Sequence, residues 1–582
     1  MKLIEALEIV GKPVPEGASP FRIFLACGFT PLHLETFLAA NLRLLYPRAR
    51  VEVATGLYGD LAGSLERLDP AGLQAVVAAV EWADLDPRLG VRSLGGWRVT
   101  DISDIVDSAG RSASRLEEIF KRLAAAVPAC VCFPTLPLPP LFIDRPERAG
   151  EPELKLRETV AALASSAANE RGIRVVNPQW LEEISPPGGR FDIGTEIAAG
   201  FPWTINHASC VAELLASLIG HPGPKKGLIT DLDDTLWAGV LGEVGVENLA
   251  WDMDGNAHVH GLYQQMLDSL AGAGILIGAA SKNDPALVDQ AFSRPDLRLS
   301  RESVFPVEAH WNRKSESVRR ILDAWNVGPE AVVFVDDSPM ELSEVGAAFP
   351  GMECILFPGN NPPAVWELLR RLRRIFGKSE IGGEDGIRLR SIRGAADFRS
   401  EAAGAAGSPD DFLRAAGASI LFTMGNRPGD ARAFDLVNKT NQFNLNGRRW
   451  SEAAWTDHFR RPGAFLLTAV YEDKFGPLGK IAAVLGRREG RRVAVDAWVM
   501  SCRAFSRRIE HRCLKYLFEK TGAGEAVFDF ESTSRNGPVR EFFRPWLPDA
   551  PAGPFSLSKA ACFDNLPELF HRVAEDVHDG SA

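Results

Sequence analysis

Three aspartates stand within four positions of one another, directly after a short apolar run, in the stretch LITDLDDTLWAG at residues 228–239. The carboxylates of Asp231, Asp233 and Asp234 would repel one another, so their crowding needs a physical reason. Aspartate is common in turns, and a solvated acidic turn is one interpretation. The other is a site, because carboxylates at the end of a buried strand can bind a divalent cation and attack a phosphoryl group.

Further polar residues stand where predicted strands end or a predicted helix begins. Ser281 ends the apolar run ILIGAAS, and Lys314 starts a helical pattern. Asp336 and Asp337 end the run AVVFVDD. Because the carboxyl ends of parallel strands meet at one edge of a sheet, we expect these side chains to lie together with Asp231. This ordered set favours an active site over a solvated turn.

Together these motifs resemble those of the haloacid dehalogenase-like phosphotransferases. The resemblance implies that Asp231 is the nucleophile that accepts a phosphoryl group and that Asp233 is the general acid and base. Ser281 and Lys314 would hold the phosphoryl oxygens. The cofactor implied is Mg²⁺, which would offset the repulsion within the cluster. Its expected ligands are Asp231, the carbonyl of Asp233, and Asp336 or Asp337.

The spacing of the motifs bears on the substrate. Asp231, Ser281 and Lys314 follow one another too closely along the chain to leave room for a separate cap domain. An uncapped site cannot close over a small metabolite by itself. We therefore expect a large substrate, or a cavity completed by another domain.

Longer strings resemble the FkbH-like proteins, which form subfamily IIIC of the haloacid dehalogenase superfamily. The resemblance covers about residues 225–540 and implies a glyceryl transferase and phosphatase of polyketide-type biosynthesis. Such an enzyme takes a glyceryl unit from a phosphorylated three-carbon donor, 1,3-bisphosphoglycerate, removes phosphate, and loads the unit onto an acyl carrier protein. The alternative is a plain phosphatase or phosphotransferase that acts on another phosphorylated metabolite. The strings are DLDDTLWAGVLGEVG, SKNDPALVDQAF, FVDDSPMELSEV, LVNKTNQFNLNGRRW, YEDKFGPLGKIAAVL and DAWVMSCRAFSRRIE.

Acyl capture of this kind needs a thiol, because a thiolate readily attacks an acyl phosphate. Cys502 ends an apolar run and precedes Arg503, Arg507 and Arg508, whose charges would lower the pKa of a thiol. The alternative is that Cys502 is a small buried residue at a strand end. Cys27, in FLACGFT, is a second candidate on its position alone.

Two further segments are candidates for binding the substrate or the carrier. The run KTNQFNL could bind glyceryl hydroxyls through Lys439, Asn441, Gln442 and Asn444, or it could be a turn held by bonds from side chains to the backbone. The C-terminal region also resembles the N-acetyltransferase fold, but the run RAFSRR lacks the glycines with which that fold approaches the pyrophosphate of coenzyme A. Arg507 and Arg508 are expected instead to contact a pantetheine phosphate or an acidic carrier protein, and Arg503 is a further candidate for binding the substrate or carrier. The alternative is that these residues form a solvated basic helix start.

The elements that must position these residues fall into three predicted domains of an α/β protein. Residues 1–222 alternate short apolar runs with amphipathic stretches, which predicts a doubly wound sheet. This domain resembles the SGNH hydrolases, but ACGFT stands where they carry their nucleophilic serine, so we expect a non-catalytic domain. His207 is then either a remnant of their histidine block or a residue near a helix cap. Residues 223–378 predict a second doubly wound domain without a large cap. Residues 379–582 predict a mostly antiparallel α+β domain. This is the domain that resembles the N-acetyltransferase fold, and we call it GNAT-like.

Bulk properties exclude several classes of function. The chain has 582 residues and a formal net charge of −11, which argues against general binding of nucleic acid. No apolar run approaches the length of a transmembrane helix, and the first residues do not resemble a signal peptide, so we expect no membrane partner. The scattered cysteines fit a reducing compartment. The expected location is the cytoplasm.

Overall fold

The computed structural model describes residues 1–15, 17–94, 97–220, 223–378, 381–404, 408–440, 442–533, 536–547, 551 and 553–575. The chain divides into two compact units. The first comprises Met1–Pro222 and Ser451–Ala454, and the second comprises Gly223–Trp450 and Trp455–Ala582. Among the helices of the described residues, none is both long and apolar enough to cross a membrane.

The first unit is built on a parallel sheet, as the sequence predicts. Its strands are β1 (Pro20–Cys27), β2 (Arg50–Thr55), β3 (Ala75–Ala79), β4 (Ala129–Cys132) and β5 (Ile173–Val175). They lie in the order β2-β1-β3-β4-β5. The helices are α1 (Leu3–Gly11), α2 (Leu32–Leu45), α3 (Leu61–Glu66), α4 (Trp82–Leu85), α5 (Ile102–Ala124), α6 (Glu151–Asn169), α7 (Pro178–Ile184), α8 (Ile193–Ala199) and α9 (Ile205–Ile219), with 3-10 turns at Pro87–Leu89, Val99–Asp101 and Pro187–Gly189.

The second unit begins with another parallel sheet. Its strands are β6 (Gly227–Thr230), β7 (Leu276–Ser281), β8 (Val304–Ala309), β9 (Val332–Asp336) and β10 (Glu353–Leu356), in the order β10-β9-β6-β7-β8. The helices are α10 (Leu241–Val244), α11 (His258–Gly272), α12 (Pro285–Phe292), α13 (Lys314–Trp325), α14 (Pro339–Ala348) and α15 (Pro362–Phe376), with 3-10 turns at Val246–Asn248, Arg301–Ser303 and Pro329–Ala331.

Helices cover both faces of this second sheet, so its strands are buried on both sides. Leu228 and Ile229 are adjacent in β6 and point to opposite faces. Leu228 belongs to a core cluster that contains Leu267 of α11, whereas Ile229 belongs to one that contains Trp325 of α13. A continuous apolar run such as GLIT is what a strand in this position requires.

The connection between β6 and β7 contains no inserted domain. Every residue between these strands is described, and the helical elements there are α10, α11 and the 3-10 turn Val246–Asn248. The expectation that no large cap is present is therefore confirmed.

The C-terminal part of the second unit carries a mostly antiparallel sheet, as predicted. Its strands lie in the order β17-β16-β15-β14-β13-β11-β18, where only the pairs β15–β16 and β11–β18 are parallel among the described residues. The elements are α16 (Gly383–Gly404), α17 (Pro409–Ala415), β11 (Ser419–Gly425), α18 (Ala431–Lys439), β12 (Phe443–Asn444), α19 (Glu452–Phe459), β13 (Ala464–Asp473), β14 (Gly476–Glu489), β15 (Arg492–Met500), a 3-10 turn (Cys502–Ala504), α20 (Ile509–Thr521), β16 (Glu525–Phe528), α21 (Gly537–Phe543), β17 (Phe555–Ser558), α22 (Lys559–Asp564) and β18 (Arg572–Glu575).

A short segment fills the gap where β15 and β16 separate. The two strands pair only over the first four residues of β15. Beyond that point β12 pairs with the last two residues of β15. Asn446 is buried, and its Nδ2 donates to the carbonyl oxygens of Asp496 and Asp529, 3.0 Å away in each case. Residues 443–446, which we call the wedge, thus hold the diverging strands together.

Helix α16 packs against both parts of the second unit. Nη2 of Arg393 donates to the carbonyl oxygen of Glu302 at 2.7 Å, beside the parallel sheet. Nη1 of Arg503, after β15, donates to Ser391 Oγ at 2.8 Å. This helix begins at Gly383, soon after the predicted domain boundary. The predicted boundary between 378 and 379 separates the two sheets, and α16 makes contacts with residues of both.

Candidate active site

Asp231, Lys314 and Asp336 meet at the carboxyl edge of the parallel sheet. Asp231 follows β6, Asp336 ends the neighbouring β9, and Lys314 begins α13. Nζ of Lys314 lies 2.7 Å from Asp231 Oδ1 and also donates to Asp336 Oδ2. Lys314 is 3% exposed and Asp336 is fully buried. The predicted convergence of these three residues is observed.

Burial controls the protonation of this group. It raises the pKa of Asp231 to about 7, while the Lys314 ammonium opposes the rise and the Asp336 carboxyl adds to it. For Lys314, burial acts to lower the pKa, but both carboxyl groups outweigh it, so this pKa lies above its ordinary value. The lysine is therefore a permanent positive charge, and it favours the ionised form of Asp231.

Asp337 completes a set of carboxylates with metal-ligand spacing. One oxygen from each of Asp231, Asp336 and Asp337 lies within 4.8 Å of the other two. Burial raises the pKa of Asp337, and the neighbouring Asp336 adds to the shift. Oxygen donors in this arrangement suit a hard divalent cation, which would offset the mutual repulsion of the carboxylates.

Asp233 is held from two sides. Trp237 Nε1 donates to its Oδ1 and Asn283 Nδ2 donates to its Oδ2, both at 3.0 Å. Burial raises the pKa of Asp233 above the ordinary range, and the two donors partly offset the rise. Asp234 instead has a left-handed backbone, φ 50°, and its Oδ1 accepts from the Gly239 amide at 2.8 Å. Of the first three aspartates, Asp234 is the one used as a turn residue.

Ser281 ends β7 and is 2% exposed. Its Oγ accepts from Asn283 Nδ2 at 3.0 Å. Neither Asn283 nor Trp237 was assigned a role from the sequence, although both lie within strings that carried the family resemblance. Asn283 stands two positions after Ser281, and Trp237 stands four positions after Asp233. This proximity to motif residues was the signal that the sequence offered.

Two candidates in the first unit have buried, structural environments. Burial raises the pKa of the Cys27 thiol to about 12, and Asp84 adds to the shift. Since only the thiolate is nucleophilic and Cys27 is buried, its surroundings do not support the role considered for it. His207 is fully buried between Thr135 Oγ1 at 2.8 Å and Ser185 Oγ at 2.9 Å, and burial lowers its pKa to about 3. These contacts leave His207 no exposed surface for a substrate.

The side chains of Cys502 and Asn441 lie outside the described residues. The backbone of Cys502 begins the 3-10 turn that follows β15. Arg503, the next residue, is half-buried, and its Nε lies 3.2 Å from Ser501 Oγ. The thiol role of Cys502 stays a prediction.

Arg507 is a buried charge, which corrects its expected role in carrier binding. Its side chain is 1% exposed, and Nε lies 2.9 Å from Asp473 Oδ2. The guanidinium also stacks over the Phe398 ring, 3.7 Å from the centroid. A charge in these surroundings joins α16 to the sheet through its contacts with Phe398 and Asp473, and it offers no surface to an acidic protein.

The run KTNQFNL has the geometry of a turn at Asn444. Nδ2 of this residue donates to the Thr440 carbonyl at 3.1 Å, and its Oδ1 accepts from the Gly447 amide at 2.9 Å. Lys439 pairs with Asp435 on the exposed side of α18, and Gln442 is exposed. Because both ends of the Asn444 amide bond to the backbone, the turn interpretation is favoured at this residue.

No protein-family model matches the chain, and no curated protein matches it. A similar solved structure is the N-terminal part of the protein BF1531 from Bacteroides fragilis, which contains a phosphatase domain and was crystallised in complex with Mg. That structure is 17% identical to this chain and superimposes with a TM-score of 0.51. The likeness covers 65% of this chain and all of the other. At this identity it establishes a shared fold.

Proposed function

We propose that this chain is a Mg²⁺-dependent phosphatase of the haloacid dehalogenase type. The observation that carries the proposal is the placement of Lys314 against both Asp231 and Asp336, with Asp337 completing the carboxylate set. The similar structure contains a phosphatase domain and was crystallised with Mg, which supports the same assignment here. A cytoplasmic location fits the sequence.

The donor set fits Mg²⁺, because it consists of carboxylate oxygens close enough to share one small ion. Asp231, Asp336 and Asp337 would hold the ion, and the Asp233 carbonyl is a further candidate ligand. A bound Mg²⁺ supplies positive charge that screens the incoming phosphate from the carboxylates.

The residues of the chain then divide the chemistry between them. A carboxylate oxygen of Asp231 attacks phosphorus, and the bond from phosphorus to the leaving oxygen breaks as Asp233 gives that oxygen a proton. Asp233, now ionised, takes a proton from the water that cleaves the aspartyl phosphate and releases inorganic phosphate. Lys314 and the Ser281 hydroxyl hold the phosphoryl oxygens throughout.

We further propose that the substrate is the phosphorylated three-carbon donor 1,3-bisphosphoglycerate and that a glyceryl unit passes to an acyl carrier protein. In this scheme the thiolate of Cys502 attacks the acyl carbon, a thioester forms, and the acyl phosphate leaves as inorganic phosphate. The Asp231 site removes the remaining phosphate. The support is the resemblance of the sequence strings around both Asp231 and Cys502, together with the position of Cys502 two residues after the end of β15.

A plain phosphatase acting on another metabolite is the second candidate. Arg507 is buried, which removes one contact that a pantetheine phosphate was expected to use. This favours the simpler activity over acyl transfer.

Intact-protein mass spectrometry after incubation with 1,3-bisphosphoglycerate and Mg²⁺ separates the candidates. We expect a glyceryl adduct on the wild type, a phosphoglyceryl adduct on Asp231→Asn, and none on Cys502→Ala. Cys354→Ala, at a half-buried cysteine elsewhere in the second unit, is the matched control and should keep the adduct. If the wild type releases phosphate and no protein carries an adduct, the phosphatase assignment stands and the acyl transfer is refuted.

A further inference from the structure

We propose that Asn283 is a positioning residue that ties the phosphate-binding hydroxyl of Ser281 to the acid and base Asp233. The inference rests on the proposed phosphatase function and extends it to a residue outside the motif positions. Asn283 would set the direction in which Ser281 donates its hydrogen and the orientation of the Asp233 carboxyl group.

The contacts of Asn283 are specific and buried. The side chain is 2% exposed, and Nδ2 lies 3.0 Å from both Ser281 Oγ and Asp233 Oδ2. An amide nitrogen carries two hydrogens and accepts none, so each of the two oxygens receives one hydrogen. The amide thereby fixes two neighbouring groups at once.

For Ser281 the consequence concerns the direction of its own hydrogen. Its oxygen is an acceptor toward Asn283, so the hydroxyl hydrogen must point away from the amide. Asp233 Oδ2 already accepts a hydrogen from Asn283, which reduces its need for the hydrogen of Ser281. The hydroxyl is left to donate to a phosphoryl oxygen, which is the role proposed for it.

For Asp233 the consequence is a fixed carboxyl plane. Asn283 reaches Oδ2 from the loop after β7, and Trp237 reaches Oδ1 from the loop after β6. Trp237 is fully buried, so its indole cannot swing away. Proton transfer requires the acid within hydrogen-bond reach of the leaving oxygen and then of the attacking water. Two donors from separate loops restrict the carboxyl group to one such orientation.

The competing explanation is that Asn283 only satisfies buried polar atoms. A residue of that kind affects the amount of folded protein and nothing else. The proposal instead requires that its loss change the affinity for phosphate and the balance between formation and breakdown of the aspartyl phosphate.

The test uses the full-length protein with Mg²⁺ and p-nitrophenyl phosphate, whose leaving group needs no proton. The readouts are KM, the inhibition constant of inorganic phosphate, and the fraction of phosphorylated enzyme after acid quenching. For Asn283→Ala we expect KM and the inhibition constant to rise roughly tenfold, as for loss of a hydrogen bond to a charged group. Phosphorylated enzyme should also accumulate, because the base for the second step is no longer held.

A second variant separates the two effects. Trp237→Phe removes the donor to Asp233 and leaves the contact of Asn283 with Ser281. It should accumulate phosphorylated enzyme while the inhibition constant of phosphate stays at the wild-type value. Asn361→Ala is the stability control, since Asn361 caps α15 and is not one of the motif residues, and it should alter neither readout.

The outcomes distinguish the two proposals. An active wild type whose phosphate affinity and phosphorylated fraction are unchanged in Asn283→Ala overturns the positioning role alone. A wild type that releases no phosphate with Mg²⁺ overturns the phosphatase function and this inference together.

Discussion

Glu81 and Asp231 are both buried carboxyl groups with a raised pKa, but their surroundings differ. Asp231 contacts the Lys314 ammonium, whereas Glu81 accepts from Thr135 Oγ1 at 2.6 Å and from Trp203 Nε1 at 2.9 Å. Burial raises the pKa of Glu81 to about 7, and these neutral donors only partly oppose the rise. A charge at Glu81 therefore costs free energy that these donors do not fully offset.

We predict that Glu81→Gln changes how the stability of the first unit depends on pH. The folded pKa of Glu81 lies above its unfolded value, so its contribution is fully present below about pH 4.5 and is lost as the pH rises toward 7. At 1.36 kcal/mol per unit, the loss in the wild type is at most about 3 kcal/mol. Urea unfolding between pH 5 and 8 should show that the free energy of unfolding of the variant increases relative to that of the wild type as the pH rises.

Glu118→Gln, at an exposed position of α5, is the matched control for this experiment. Its unfolding should follow the wild type at every pH. Asp84, whose pKa burial raises to about 7, should keep part of the pH dependence in Glu81→Gln. Parallel curves for Glu81→Gln and the wild type would contradict the prediction.

At the residue scale, site residues at the ends of strands could be predicted from the sequence. Roles that depend on the conformation of a loop could not. Asp231, Ser281 and Asp336 could be placed because each ends or follows a buried strand. The role of Asn283 depends on how its loop folds back, which the local pattern does not encode. Arg507 was wrongly taken as a surface contact because its partner, Asp473, lies on a strand formed by a distant part of the chain.

At the element scale, α16 shows why one glycine cannot be replaced. A Cβ added at Gly394 would collide with the carbonyl oxygen of Phe475, which is backbone and cannot move away. Alanine favours a helix over glycine by about 1 kcal/mol, so propensity alone predicts stabilisation. We predict the opposite sign for Gly394→Ala, a loss of about 1–3 kcal/mol in the free energy of unfolding, because the contact is overpacked.

The same helix offers the control. An added Cβ at Gly386 meets nothing within 4 Å, and this glycine is exposed. Gly386→Ala should therefore stabilise the protein by up to about 1 kcal/mol. Thermal unfolding of the two variants measures the difference, and equal shifts in Tm would show that α16 does not approach Phe475 this closely.

Two elements explain the limits of prediction at this scale. Strand β8 was missed because Pro306 interrupts its pattern, and the structure places the strand at the sheet edge, where proline is tolerated. Helix α16 lacks a single apolar stripe, since Ile392 packs in the core of the parallel sheet while Phe398 faces Phe475. Burial on two sides removes the periodicity on which helix prediction depends.

At the scale of the whole molecule, the candidate active site draws its side chains from residues 231–337. We predict that a fragment of residues 1–404, which keeps α16, releases phosphate from p-nitrophenyl phosphate with Mg²⁺ within a fewfold of the full-length rate. The same fragment should form no acyl adduct, because it lacks Cys502. A second fragment, 1–378, should unfold at a lower temperature, since it loses the contacts of Arg393 and Ile392 with the parallel sheet.

Loss of phosphate release from the folded 1–404 fragment would show that the C-terminal sheet contributes to the site. Equal unfolding temperatures for the two fragments would contradict the role assigned to α16. Circular dichroism of both fragments provides the check that each is folded.

The predicted arrangement of an α/β chain with parallel sheets is confirmed at this scale. The SGNH-like and GNAT-like assignments stay predictions, because a fold class follows from alternating patterns while a specific family follows from site residues. In the first unit, ACGFT stands where the SGNH hydrolases carry their nucleophilic serine. In the second unit, RAFSRR lacks the glycines with which the N-acetyltransferase fold approaches coenzyme A. The glyceryl donor and the carrier protein leave no comparable pattern in the chain.

The wedge also imposes an order on how the chain folds. Residues 443–446 precede β13, β14 and β15 in sequence, yet β12 bonds to the end of β15, and Asn446 bonds across to Asp529 after β16. The wedge therefore cannot reach its final partners until the three-strand meander has formed and β16 has joined it. Contacts between distant parts of a chain form late and slowly. On refolding, protection of the Leu445 amide, which donates to the Trp498 carbonyl, should lag behind protection of the β13–β14 hairpin.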